Sequence, residues 1–156
     1  MLTIKDLDKY DRNILKVLQE DGRISFTDLG RQVGLTTTPC IERVRKLERS
    51  GFIKGYSAQL SPRHLDKGLV VIVQINLDRT SKKTFEEFRH KIQKLPSVQE
   101  CYLVTGSFDF LIKARVKDMT AYRDLLEEEL LNLPGVKAST SIAVMETVQE
   151  SLAISI

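Results

Sequence analysis

Leu95-Pro96-Ser97-Val98 recurs as Leu133-Pro134-Gly135-Val136, 38 residues further on, each time after an amphipathic stretch and before a strand-like run. A supersecondary unit used twice constrains the fold strongly, because both copies must bury the same kind of apolar face. Before the first copy, Phe85, Phe88, Ile92 and Leu95 recur at helical spacing, preceded by the apolar run Leu69-Val70-Val71-Ile72-Val73. Before the second, Tyr122, Leu125, Leu126, Leu130 and Leu133 mark a helix, preceded by Phe110-Leu111-Ile112. Two tandem βαβ units with right-handed crossovers predict a ferredoxin-like βαββαβ domain, a four-stranded antiparallel sheet with both helices on one face. Val71, Val73 and Ile75 alternate with Val70, Ile72 and Gln74, so the sheet's free face is apolar too and needs a cover. A second copy of the chain is the simplest one.

The region before this repeat has a different period. Leu7, Tyr10, Ile14 and Leu18 predict a helix ending near Asp21-Gly22. Ser25 with Asp28 three residues later has the layout of a capping box, and Phe26, Leu29 and Val33 form a short stripe stopped by Gly34. Thr38 is the expected cap of a third helix, with Pro39 at its first position and its end at Ser50-Gly51. On a helical wheel Cys40, Val44 and Leu47 share the buried side, while Glu42, Arg45, Lys46 and Arg49 fall opposite.

Three short helices, the last two joined by the tight Gly34-Leu35-Thr36 turn, predict a helix-turn-helix whose final helix enters the DNA major groove. Thr37, Thr38, Pro39, Glu42, Arg43, Arg45, Lys46 and Arg49 are the candidate DNA-binding residues, suited to base edges and phosphates. The charge distribution agrees. Residues 1–60 hold 11 Lys/Arg against 8 Asp/Glu, whereas 61–156 hold 13 against 13. Phe52 to Leu60 has β-rich composition and predicts a hinge strand, with Ser61-Pro62-Arg63 as linker. The expected organisation is α+β, with a helix-turn-helix domain at 1–52, hinge strand and linker at 53–67, and the ferredoxin-like domain at 68–156.

Other functions are poorly supported. His64 and His90 sit in no ligand or triad constellation, so neither metal binding nor catalysis is expected, and Glu127-Glu128-Glu129 reads as a solvated helix face. No phosphate-cradling G-x-x-x-x-G-K-[ST] or G-x-G-x-x-G string occurs, and no cofactor is expected. An RNA-binding βαββαβ domain is echoed by Gly106 to Leu111, but the preceding basic residue is missing and the second part carries no net charge. A DNA-coating architectural protein without effector is a further alternative. No apolar run approaches membrane-spanning length, Met1-Leu2-Thr3-Ile4-Lys5-Asp6 lacks a signal-peptide layout, and Cys40 and Cys101 form no metal knuckle. These features fit a cytoplasmic protein.

Together the motifs resemble the leucine-responsive/asparagine-C family of feast-or-famine transcription regulators. The residues that carry the resemblance begin with Leu7-Asp8, Asp11-Arg12-Asn13-Ile14-Leu15 and Asp21-Gly22-Arg23-Ile24-Ser25. Val33-Gly34-Leu35, Thr38-Pro39-Cys40, Arg43 to Glu48 and Gly51-Phe52-Ile53 continue it, followed by Gly106 to Phe110, Asp118-Met119, Leu133 to Val136 and Val144-Met145-Glu146. The resemblance implies a DNA-binding regulator that forms dimers and octamers with itself and takes a small amino acid as effector. It places the effector between dimers, near Gly106, Ser107, Phe108 and Asp109, with Met119, Ile142, Ala143 and Val144 also implicated. A glycine loop exposes N–H groups for a carboxylate, and Asp109 offers a partner for an ammonium group; the same residue types also suit a plain hairpin turn. Ser107 stands where an acidic residue is common in the family, and Ala143 where a bulkier one is; the resemblance implies leucine, alanine or another small neutral amino acid as effector.

Overall fold

The computed structural model describes residues 3–78 and 81–156; Met1, Leu2, Arg79 and Thr80 lie outside the described residues. The chain forms two compact units, one of Met1–Gln59 with Gln149–Ile156, the other of Leu60–Val148. The division differs from the expected boundaries, because Ile53 to Gln59 and the segment 149–156 both join the helical unit.

In the first unit a short turn, Ile4–Asp6, precedes α1 (Lys9–Glu20), α2 (Phe26–Val33) and α3 (Thr37–Arg49). The Asp8 carboxylate caps α1 by accepting from the Asp11 N–H at 2.9 Å, and Ser25 Oγ caps α2 by accepting from the Asp28 N–H at 3.1 Å. Helix α3 starts earlier than its sequence suggests. Thr36 is the cap, which moves Pro39 to the third helical position. The first-turn N–H groups have no intrahelical acceptor, so a residue without one is tolerated throughout that turn. Leu7, Ile14, Leu15, Leu29, Val33, Cys40, Val44 and Leu47 form the core. Phe26 departs from the expected stripe and stands 43% exposed.

The α2–α3 turn folds back tightly: Leu35 N–H donates to Gly30 O at 2.8 Å, and a Cβ on Gly30 would stand 2.8 Å from the Leu35 carbonyl oxygen. Only glycine permits that approach. The expected hinge strand does not form. Phe52 and Ile53 donate to Leu47 O at 3.0 and 3.2 Å, and residues 54–60 join no ladder. A strand needs a second edge to take its N–H and C=O groups, and among the described residues this segment has none.

The second unit is βαββαβ: β1 (Leu69–Leu77), α4 (Lys82–Ile92), β2 (Val98–Leu103), β3 (Phe110–Val116), α5 (Met119–Asp124) and β4 (Val136–Ala143). The strand order is β2-β3-β1-β4 and every pairing is antiparallel. Val71, Val73, Ile75, Leu77, Phe110 and Ile112 pack against Phe88 and Ile92 of α4, Tyr122 of α5 and Leu125 just beyond it, so both helices cover one face. Val70, Ile72 and Gln74 project to the other.

Beyond α5 the chain widens into a π-helical stretch, Leu125–Leu130. The reason is legible in the spacing. Leu125 and Leu130 are both buried five residues apart, a separation that suits i→i+5 bonding rather than 3.6 residues per turn. The second copy of the repeat closes this unit. Gly135 has φ 74°, its carbonyl accepts from the Asp78 N–H at 2.8 Å, and a Cβ there would overlap Thr84 Cγ2. Gly135→Ala is expected to lower stability by about 1–3 kcal/mol in urea unfolding, and adding Thr84→Ala should recover the overlap but not the backbone strain. An unchanged unfolding midpoint for Gly135→Ala would contradict this account of the turn.

Candidate nucleic-acid interface and effector residues

Helix α3 is anchored from behind by Cys40, Val44 and Leu47, each no more than 1% exposed. Burial of these three, roughly 1.5–3 kcal/mol for a residue of leucine size, fixes which side faces out. Thr38, Glu42, Arg45 and Arg49 follow one another at helical spacing along the outer stripe, with Thr37, Pro39 and Lys46 beside it, and all seven are exposed. Among the described residues Arg45, Lys46 and Arg49 make no ion pair. Thr36 makes no side-chain cap, so the first N–H groups of α3 remain open to an anion. Glu48 is engaged, accepting from the Tyr56 hydroxyl at 3.1 Å.

Arg43 is placed differently from the other candidates. Its Nη1 donates to Asp8 Oδ2 and to Asp11 Oδ1, both at 2.7 Å, and the guanidinium lies over the Tyr10 ring at 5.4 Å. Asp11 is 2% exposed. A buried carboxylate without a cation is strongly unfavourable, so Arg43 acts as a brace joining α3 to α1. The Asp11 N–H bond, together with Arg43, holds the Asp8 carboxyl below its ordinary range. The carboxylates were not singled out from sequence, although Asp11 lies between Leu7 and Ile14 on the face that α1 buries, where a charge requires a partner.

The eight candidate effector residues do not converge within one chain. Gly106, Ser107, Phe108 and Asp109 form the β2–β3 connection beside the Ile75–Leu77 end of β1. Ile142 and Ala143 pair with Ile72 and Val71, and the Val144 N–H donates to Val70 O at 3.0 Å, all at the opposite end of β1. Met119 opens α5 just after Val116, whose partner Leu69 marks that same far end, and is 55% exposed. Some five residues of strand rise separate the groups, about 16 Å.

Asp109 is 5% exposed, and its Oδ2 accepts from the Leu77 N–H at 2.8 Å. Its own N–H donates to Ile75 O at 2.9 Å, while Asn76 Nδ2 donates to Ser107 O at 2.8 Å. These bonds pin the loop where β1 shifts register at Asn76/Leu77. The Asp109 carboxylate thus shapes the loop from inside, leaving exposed Gly106 and Ser107 at its surface.

Two outcomes follow from the brace. Arg43→Ala is expected to destabilise the helical unit by on the order of 3 kcal/mol, read by thermal unfolding, without altering the salt dependence of DNA binding where the variant is folded. A changed salt slope would make Arg43 a phosphate contact instead. Because the folded Asp8 carboxyl titrates below its ordinary value of 3.8, its contribution is complete above that value and is lost as pH falls through the folded one. Asp8→Asn, which retains an N-cap, should therefore flatten the acid limb of the unfolding curve; an unaltered limb would contradict the assignment.

Comparison with known proteins accords with this geometry. Residues 7–48 match the AsnC-type helix-turn-helix domain and residues 70–154 match the Lrp/AsnC ligand binding domain. The chain is 56% identical over 147 residues to the leucine-responsive regulatory protein of Escherichia coli K12, covering 94% of this chain and 90% of that protein. The counterpart from Klebsiella pneumoniae has the same identity and coverage. Among solved structures, a Neisseria meningitidis transcriptional regulator in complex with L-Met superposes with a TM-score of 0.92 at 34% identity, covering 96% of both chains. An AsnC family transcriptional regulator from Agrobacterium tumefaciens gives 0.91 at 31% identity, covering 96% of this chain and 97% of that one. With its helix-turn-helix unit and its βαββαβ unit both matched, the chain belongs to the Lrp/AsnC family of DNA-binding transcription regulators.

Proposed function

We propose that this regulator meets the major groove of duplex DNA through the outer stripe of α3, and that its second unit senses a small neutral amino acid. Thr37, Thr38 and the α3 N-terminus, with Arg45, Lys46 and Arg49, are the contacts assigned to DNA; Pro39 shapes the first turn and Glu42 discriminates among base edges. Leucine and methionine are the first effector candidates. They are supported by the leucine-responsive relatives and by the L-Met bound to the Neisseria regulator. Alanine is the next to try. The protein works in the cytoplasm, without catalysis and without a cofactor; no helix among the described residues is long and apolar enough to cross a membrane.

The observation that carries the sensing assignment is the division of the effector residues between the two ends of β1. A single pocket holding both groups requires one copy to bring the Gly106–Asp109 loop and another to bring Met119, Ile142, Ala143 and Val144. Self-association supplies that arrangement. The sheet face bearing Val70, Ile72 and the 46%-exposed Ile142 is the surface assigned to the dimer, and further stacking toward an octamer completes the pocket.

Titrating a duplex against salt, with and without L-leucine or L-methionine, tests the whole reading. Log affinity should fall with log salt by about 0.9 per phosphate contact, and Arg45→Ala should reduce the slope by about one contact. An effector should change affinity by about 5–150-fold, with a parallel change in sedimentation. An unchanged slope removes Arg45 from the contacts, and indifference to every common amino acid would favour an architectural, effector-free protein.

A further inference from the structure

The segment 149–156 follows the second unit in the chain but is built into the first. Gln19, on the exposed last turn of α1, turns its carboxamide onto the backbone of Ile154. Its Nε2 donates to Ile154 O at 3.1 Å, and its Oε1 accepts from the Ile154 N–H at 2.6 Å. A primary amide offers a donor and an acceptor side by side, the same pair that an adjacent strand offers, so it holds extended backbone whatever the side chain. The Ile154 side chain is accordingly 74% exposed. Two residues later Ile156 packs against the helical core.

We propose that the DNA-binding unit carries a docking site for a peptide segment outside regular secondary structure, made of Gln19 and the apolar surface that Ile156 meets, and that residues 149–156 occupy it as a strap. The strap adds a second link between the two units, covalent at Val148–Gln149 and closed by non-covalent docking, in addition to the covalent crossing at Gln59–Leu60. A domain on one flexible linker samples a wide range of orientations, whereas a second tie narrows it and lowers the entropy lost when DNA is bound. Strand β4 runs through residues 144–148 directly into the strap, so Ile142, Ala143 and Val144 are joined to the Gln19 surface of α1 by a few residues of chain. The DNA-contacting stripe of α3 stays uncovered, so the strap limits movement and does not block the interface.

Gln19→Ala and Gln19→Glu in the full chain test this. Ala, Glu and Gln have similar helix propensities, so α1 itself is not weakened, and Glu keeps the acceptor while losing the donor. Hydrogen exchange in the peptide spanning 149–156 should accelerate in the order wild type, Gln19→Glu, Gln19→Ala, by about tenfold in all, as expected for two net hydrogen bonds. Tryptic cleavage after Arg63 and Lys67 should quicken in the same order, and duplex affinity should fall by about threefold. Deleting 149–156 should reproduce the cleavage and affinity of Gln19→Ala. The proposal is overturned if wild-type exchange at 149–156 is already that of free chain. It is equally overturned if Gln19→Ala leaves exchange and cleavage unchanged, or if the deletion loosens the linker and Gln19→Ala does not. Should wild type bind no duplex at all, the DNA-binding reading fails, while exchange and cleavage still decide the strap.

Discussion

Asp11 is a carboxylate with almost no access to water, and everything about the position of α3 depends on how its charge is met. Arg43 reaches back from the helix to satisfy it, with Asp8 sharing the same guanidinium nitrogen and the Tyr10 ring beneath its charge. Apolar burial of Cys40, Val44 and Leu47 decides which face of α3 points inward, but a greasy stripe alone tolerates sliding and rotation. A charged brace with two acceptors at 2.7 Å does not. The cation nearest the middle of the helix is thus given to architecture, while Arg45 and Arg49 on the outer stripe and Lys46 beside it stay exposed and make no ion pair among the described residues.

The second unit answers to a different constraint. Its sheet has two faces, and α4, α5 and the π-helical stretch that continues α5 lie on one of them. Neither helix covers the other face, and the antiparallel register sends the glycine loop and the end of β4 to opposite ends of β1. On the proposed function, a sensing pocket assembled from more than one copy would link ligand binding to assembly, because the two would share contacts.

Much of this was legible in the residues. The tetrapeptide repeat predicted the βαββαβ unit, and Ser25 with Gly34 marked α2 correctly at both ends. What escaped lies where local patterns give way to tertiary ones. Thr36 rather than Thr38 caps α3 because a proline is permitted anywhere in a first helical turn. Phe52 to Leu60 is extended in composition but lacks an edge to pair with, which no single-chain pattern reveals. Leu125 and Leu130 could have announced a π-helical turn by their spacing. Gly30, Asp8 and Gln19 act on partners 5, 35 and 135 residues away, and nothing in their immediate neighbourhoods points there.

The central claim is that α3 meets DNA with its outer stripe while the Arg43 brace stays closed behind it. Following backbone amide shifts of the chain as a duplex is added tests this most directly. The account predicts the largest changes at Thr37, Thr38, Arg45 and Arg49, with the amides of Asp8 and Asp11 and the Arg43 Nε–H nearly still. Shifts concentrated in the βαββαβ unit, or an opening of the Arg43 brace on binding, would contradict it.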